Sequence, residues 1–375
     1  MLRSISMQNF KSFKLLSQIS LERTNYQMLS STNLNNGILK GAMFVGANAS
    51  GKSNSILSLK FLLDGLFGKQ VLSIPSYFCL FSKSRSMDLD YLFLIDDQEI
   101  EYVISYDKYN NLITETLNVD KQLVVQRDGK YAKVVLGETT QHEDVPNNTL
   151  FLRDVYFNTK FRGNATLQKW FDFLSNSIYV DLYHNMLVTY KDLDLSLSSY
   201  LDQNGTDEIN HFFNEYNFEQ IIEYNTDSVG PTVKIHSDEK MIFFKRKGID
   251  DPIPMAFEST GNTNLIRLLP AFFYCIKNNS MLLLDEFSSG FHNDLEELLI
   301  KYFFRNAEES QLFFVSHSTN LLTNRLLRPD QIYSVDFDDD GSHLLRFSSE
   351  KPREAQNLEK MYLSGIFRGV PKYEN

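Results

Sequence analysis

The stretch "FVGANASGKSN", from Phe44 to Asn54, limits what this chain can fold into more than any other part of it. The spacing Gly46-x-x-x-x-Gly51-Lys52-Ser53 is the P-loop pattern, and it works as the turn between a buried strand and a helix. Both flanks fit. "ILKGAMFVG" is an apolar run of strand length, and Ile56, Leu59, Leu62, Leu63 and Phe67 recur at helical spacing after the loop. Each fixed position has a task if the loop holds a nucleotide polyphosphate. Glycine lets the backbone turn sharply and aim successive N–H groups at anionic oxygens. Lys52 supplies a mobile positive charge for the β- and γ-phosphates, and the Ser53 hydroxyl suits a Mg²⁺ ligand. The helix that follows points its positive end at the same oxygens. A glycine-rich turn that holds nothing is the competing reading.

Such a site needs a carboxylate to orient the metal, normally at the end of a buried strand. "SMLLLDEFSSG" supplies one, because Met281 to Leu284 form a continuous apolar run that suits a parallel strand covered on both faces. Asp285 then holds Mg²⁺ through water, and Glu286 is the general base that polarises the attacking water. An acidic helix cap after a core strand is the alternative. Next, "QLFFVSHSTNLL" is a second buried strand that ends in Ser316-His317. A histidine there is placed to reach a γ-phosphate, or else it caps the next helix. Upstream, Glu258-Ser259-Thr260-Gly261-Asn262 precedes a helix with Leu265, Leu268, Leu269 and Phe272 on its apolar face. Small hydroxyl and glycine residues at a helix start make an anion site, although Ser259 or Thr260 as a plain cap needs no ligand.

The order of these pieces resembles the heads of ABC-type ATPases. The resemblance is nearest to the RecF/SMC/OLD-like branch, and within it to the stand-alone AAA-type ATPases of bacterial anti-phage and abortive-infection systems. It rests on "MQNFKSF", "GANASGKSN", "ESTGNTNL", "LLLDEFSSGFH", "FFVSHSTNLL" and the closing "YLSGIFRGVP", which sample the chain from end to end. "ESTGN" departs from the usual Ser-Gly-Gly-Gln signature, and the Mg²⁺-sensing glutamine is not assigned to a residue, since Gln98, between two strand-like runs, sits in a turn-like stretch, "IDDQEIE". The resemblance implies an α/β fold of the P-loop NTPase, ABC-head type, with a mixed or antiparallel β-lobe and an inserted helical lobe. It implies ATP and Mg²⁺ as ligands. Gly46, Asn48, Ser50, Gly51, Lys52, Ser53 and Asn54 then bind nucleotide, Ser53 and Asp285 serve the metal, and Glu286 and His317 are catalytic. It also implies a head-to-tail pair in which Ser259 and Gly261 of one copy touch the γ-phosphate held by the other, with His292 near the same interface.

The lobes expected are residues 1–160 with the P-loop and a β-meander, 161–228 as a helical insertion, and 229–375 with the signature, the Asp-Glu strand and the histidine. From Asp88 to Val135 short alternating runs separated by Asp-Asp, Asn-Asn and Asp-Gly turns predict the meander. "INHFFNEYNFEQII" predicts a helix with Ile209, Phe212, Phe213, Tyr216 and Phe218 on one stripe. "FFKRKG", with Lys245, Arg246 and Lys247, reads either as a nucleic-acid or nucleotide contact or as a solvated hairpin end. "IYSVDFDDDGSHLLRF" predicts a hairpin turning at Asp340-Gly341, which accounts for its acidic run without metals.

With 42% hydrophobic residues the 375-residue chain can bury a large core, and it contains no apolar run of membrane-spanning length. The start, "MLRSISMQNFKSF", lacks a signal-peptide core, and Cys79 and Cys275 lie apart in apolar surroundings, so a cytoplasmic protein with buried thiols and no membrane partner is expected. A net charge of −11 argues against a surface that coats nucleic acid, though it leaves room for a local basic groove. Three functions compete. The first is an ATPase that senses or scaffolds for a separately encoded effector. The second is a RecF-like repair ATPase on duplex DNA. The third is a nucleotide-binding module without turnover, which would have no need of a base at Glu286.

Overall fold

The computed structural model describes residues 1–370, so Pro371, the end of the closing "YLSGIFRGVP" stretch, lies with the tail to Asn375 outside the described residues. The chain divides into two compact units. The larger comprises Met1–Lys191, Cys275–Ser289 and the chain from Asn293 onward, and the smaller comprises Asp192–Tyr274 and Gly290–His292.

In the larger unit a seven-stranded sheet carries the site. Its central five strands are parallel, in the order Ile178–Asp181, Met281–Asp285, Gln311–Val315, Gly41–Gly46 and Ile332–Asp338. Met186–Thr189 and Gly341–Arg346 close the two edges as antiparallel hairpin partners. Met281–Asp285, Gln311–Val315 and Gly41–Gly46 are buried at every position, as expected for parallel strands covered on both faces. The Lys52–Phe67 helix packs against them through Ile56, Leu59, Leu62 and Leu63, all fully buried. The hairpin expected at Asp340-Gly341 forms, with Asp338 opposite Gly341.

An eight-stranded antiparallel sheet is the β-lobe, and the predicted meander supplies most of it: Ser86–Ile95, Gln98–Asp107, Leu112–Val119, Gln122–Asp128 and Tyr131–Leu136 pair in sequence. Burial alternates strictly along Ser86–Ile95, so one face, with Leu89, Tyr91 and Phe93, enters the core. Trp170 on the Ala165–Ser175 helix packs edge-on against Phe93 and Tyr102.

The segment 161–228, read from sequence as one helical lobe, runs across this division. Its first helix and the Ile178–Asp181 strand belong to the larger unit, because Trp170 and Phe171 are core residues there and the strand pairs with Met281–Asp285. The smaller unit joins the Leu197–Asn204 and Asp207–Glu215 helices to a three-stranded antiparallel sheet, Gln220–Val229, Lys234–Arg246 and Ile249–Pro254. The predicted aromatic stripe outlasts its helix: Phe218 lies past Glu215, yet its ring centroid is 5.1 Å from that of Phe213 and 5.9 Å from that of Phe212.

Candidate functional site

The loop between the Gly41–Gly46 strand and the Lys52–Phe67 helix is built so that glycine is required at both ends. A Cβ on Gly46 would lie 2.3 Å from the Val335 carbonyl oxygen, and one on Gly51 would lie 2.2 Å from Ser342 Oγ and 2.5 Å from Ser12 Oγ. Gly51 also has φ of 101°, in the left-handed region that side chains avoid. The helix start is braced from outside: Ser342 Oγ donates to the Ser50 carbonyl at 2.6 Å, and Asn54 Nδ2 donates to Ser12 Oγ at 2.7 Å. The Asn54 amide thus faces Ser12. Asn48 is exposed at the loop tip. Lys52 folds back over the loop, with Nζ donating to the Ala47 carbonyl at 2.7 Å. Burial pushes its pKa down, against the pull of Glu286 and Asp285. Ser50 Oγ is buried and has no hydrogen-bond partner among the described residues. An orphaned donor beside a glycine cradle and a buried ammonium fits an anionic polyphosphate.

Facing the loop is the end of the Met281–Asp285 strand. Ser53 Oγ donates to Asp285 Oδ1 at 2.9 Å, and the Glu286 N–H reaches the same oxygen at 3.0 Å. Burial, and then the charges of Asp181 and Glu286, raise the Asp285 pKa against the bond from Ser53. A hydroxyl and a carboxylate joined in this way are the donor set that suits Mg²⁺. Glu286 has φ of 52°, a turn that swings its carboxylate toward the next strand end, where Oε2 lies 3.7 Å from His317 Nε2. His317 is held by its neighbours: its N–H donates to Ser288 Oγ at 3.2 Å, and Ser316 and Ser318 both donate to the fully buried Glu296. Burial, then the charge of Lys52, lower the His317 pKa, which keeps the imidazole neutral at pH 7 although Glu286 pulls the other way. The larger unit therefore brings Lys52, Ser53, Asp285, Glu286 and His317 to the carboxyl ends of three parallel strands.

Ser259 and Gly261 belong to the smaller unit. Ser259 Oγ accepts the Asn262 N–H at 3.3 Å, which is the cap that the sequence allowed. Glu258 holds the turn by accepting from Ser259 N–H at 2.9 Å, from Asn262 Nδ2 at 3.2 Å and from Arg246 at 2.6 Å. Among the described residues a Cβ on Gly261 would meet nothing within 4 Å, and the residue has no left-handed φ, so neither packing against them nor backbone conformation calls for glycine there. The basic cluster is neutralised in pairs, Lys245 with Glu223 at 2.6 Å, Arg246 with Glu258, and Lys247 with Glu219 at 3.1 Å. Gln98 is engaged within the β-lobe, where its amide donates to Asp120 at 3.1 Å and accepts from Thr166.

Sequence reasoning missed Tyr179, Asp181 and Glu296. A signal for the first two existed: "SIYVD", Ser177 to Asp181, has the form of "SMLLLD", Ser280 to Asp285, and Asp181 stands opposite Asp285 in the parallel ladder. Glu296 had none, since an acidic residue in the first turn of the Asn293–Asn306 helix looks like any helix start.

The family model described as "AAA domain, putative AbiEii toxin, Type IV TA system" matches residues 42–323, and the chain belongs to that family. The fold is also that of solved SMC heads. The SMC head domain from Thermotoga maritima superposes with a TM-score of 0.50 over 92% of this chain and 98% of that one, at 15% identity. An SMC head bound to the C-winged helix domain of ScpA gives 0.50 over 92% and 96%, at 14% identity. No curated protein matches the sequence. The chain thus belongs to an AAA-domain family and has the P-loop ATPase-head fold that SMC heads also show, the fold that the sequence motifs implied. Among the described residues no helix is long and apolar enough to cross a membrane.

Proposed function

We propose that this protein binds and hydrolyses ATP, assembles around the nucleotide as a pair or a larger homo-oligomer, and acts as a sensor or scaffold for a separately encoded effector in anti-phage defence. The observation that carries the ATPase reading is the Ser53–Asp285 bond at 2.9 Å, because it joins the helix that follows the P-loop to the acidic strand end with Lys52, Glu286 and His317 gathered around it. In this reading the loop 46–51, with Asn48 and Ser50, and the first helical residues Lys52, Ser53 and Asn54 bind the phosphates. Ser53 and Asp285 would hold Mg²⁺, which would supply charge to neutralise the phosphates. Glu286 accepts a proton from the attacking water, and neutral His317 donates toward the γ-phosphate end.

Pairing is supported by Gly261, whose open surroundings suit close approach by a group from outside the chain. Ser259 and Gly261 would then complete a partner copy's site. The defence role rests on the family description, which names an AbiEii toxin, and the solved SMC head bound to ScpA shows this fold in company with a second protein. The pairing of Lys245, Arg246 and Lys247 with glutamates gives a DNA-repair reading no support at that cluster. The deciding experiment is Glu286→Gln, which leaves every phosphate ligand in place. The variant is expected to bind ATP like the wild type, to lose about 10²–10⁴-fold in turnover, and to accumulate as a nucleotide-bound pair on size-exclusion chromatography. Wild-type turnover in the variant would remove Glu286 as the base, and a monomer at saturating ATP would remove the pairing.

A further inference from the structure

Tyr179 lies in the Ile178–Asp181 strand, which runs parallel to Met281–Asp285 with Tyr179 opposite Leu283 and Asp181 opposite Asp285. Side chains alternate along a strand, so Tyr179, Asp181, Leu283 and Asp285 share one face of the sheet. The phenol is 3% exposed, and its hydroxyl donates to Asp285 Oδ2 at 3.4 Å. The other oxygen, Oδ1, is taken by Ser53 Oγ at 2.9 Å and the Glu286 N–H at 3.0 Å. The carboxylate is therefore gripped from the P-loop helix on one side and from the neighbouring strand on the other.

The ring of Tyr179 is itself held. Lys60 Nζ sits 5.2 Å from its centroid, Lys60 pairs with Asp64 at 2.5 Å, and Tyr190 Oη donates to Asp64 Oδ1 at 2.9 Å. Lys60 and Asp64 are on the Lys52–Phe67 helix, which also carries Ser53. One rigid helix thus places both the serine that meets Oδ1 and the pair that steadies the ring meeting Oδ2. Packing alone does not explain a tyrosine at this position, since phenylalanine fills the same space without a buried hydroxyl to satisfy.

We propose that Tyr179 is a positioning residue for Asp285, holding the carboxylate in the orientation that faces Ser53 and the P-loop. The proposal rests on Asp285 as the carboxylate that serves Mg²⁺. Bonded only at Oδ1, that carboxylate is free to turn about its Cβ–Cγ bond, and ordering it then falls to the moment of metal binding. Outer-shell partners of metal-serving carboxylates act in this way, and their loss typically weakens metal affinity or activity about 10–100-fold.

The test is Tyr179→Phe in the full chain, with Tyr102→Phe as a control that removes a buried hydroxyl from Glu115 in the β-lobe and leaves Asp285 and the Lys60–Asp64 pair untouched. Binding of a non-hydrolysable ATP analogue is measured by calorimetry across a Mg²⁺ series and in EDTA, alongside the melting temperature. In Tyr179→Phe the Mg²⁺ concentration for half-maximal enhancement is expected to rise about 10-fold or more, with affinity in EDTA and melting temperature close to wild type. Tyr102→Phe is expected to keep the wild-type Mg²⁺ midpoint. An unshifted midpoint in Tyr179→Phe overturns the proposal. So does a parallel loss of affinity in EDTA and of melting temperature, which marks a packing role. If the wild type itself binds the analogue without any Mg²⁺ enhancement, the metal reading of Asp285 fails first and the proposal falls with it.

Discussion

Lys52→Ala separates nucleotide binding from folding. Among the described residues the lysine makes one hydrogen bond, from Nζ to the Ala47 carbonyl, and it is 5% exposed with its pKa pushed down by burial. The bond is worth about 1 kcal/mol net, and relief from burying an ammonium offsets much of that, so the ligand-free variant should melt within about 1 °C of wild type. Nucleotide changes the comparison. At ATP about a hundredfold above its dissociation constant the wild type gains about 2.7 kcal/mol, because ligand binds the native state alone. For 375 residues at roughly 2.1 cal/mol/K of unfolding entropy per residue, that corresponds to a rise of about 3 °C. Differential scanning calorimetry with ATP and Mg²⁺ should show this rise in wild type and less than about 1 °C in the variant at the same concentrations. An undiminished rise in Lys52→Ala, or none in wild type, refutes the assignment of the loop. A large drop in the ligand-free melting temperature would instead show that the lysine is a structural residue.

Two further outcomes follow. If Ser259 acts on a partner's nucleotide, Ser259→Arg should bind ATP with near wild-type affinity but fail to pair, and mixing it with Lys52→Ala should restore, in each mixed pair, up to about half of the turnover of a wild-type pair, since one composite site of that pair carries neither lesion; no rescue at any ratio despite confirmed mixing, read by ATP hydrolysis, counts against a shared site. Arg328 is fully buried and pairs bidentately with Asp330, Nε to Oδ1 at 2.9 Å and Nη2 to Oδ2 at 3.0 Å, so Arg328→Met should cost about 3–5 kcal/mol in urea unfolding by leaving a buried carboxylate. Burial raises the Asp330 pKa, but the bonds from Arg328 and Thr24 outweigh it and hold the carboxyl below its ordinary value. That stabilisation is complete above the ordinary carboxylate range and is lost as pH falls through the depressed value, so the gap between wild type and variant should hold from pH 7 down to about pH 5 and narrow only on acidification below about pH 4; a gap that stays constant below about pH 4 would show that the charge on Asp330 plays no part.

The sequence by itself determined the elements that local chemistry dictates. Gly46 and Gly51 must be glycine wherever this loop is built, because backbone and side-chain neighbours occupy the Cβ positions. The continuous apolar runs before Asp285 and Ser316 are legible as buried parallel strands, and the alternation from Asp88 to Val135 is legible as a meander, because periodicity records which faces are covered. The tertiary structure decided which strand ends meet. Asp181 and Tyr179 sit more than a hundred residues from Asp285, and only the ladder that puts Ile178–Asp181 beside Met281–Asp285 makes them neighbours of that carboxylate. The same holds for Glu296, an ordinary first-turn acid until the chain brings Ser316 and Ser318 onto it. The unit division at Lys191 was likewise hidden in the sequence, since helical periodicity before and after it looks alike, while Trp170 and Phe171 commit the first helix to the larger core. Periodicity along one segment reports how much of that segment is buried, whereas the identity of what buries it is set by contacts between distant segments, which no local pattern encodes.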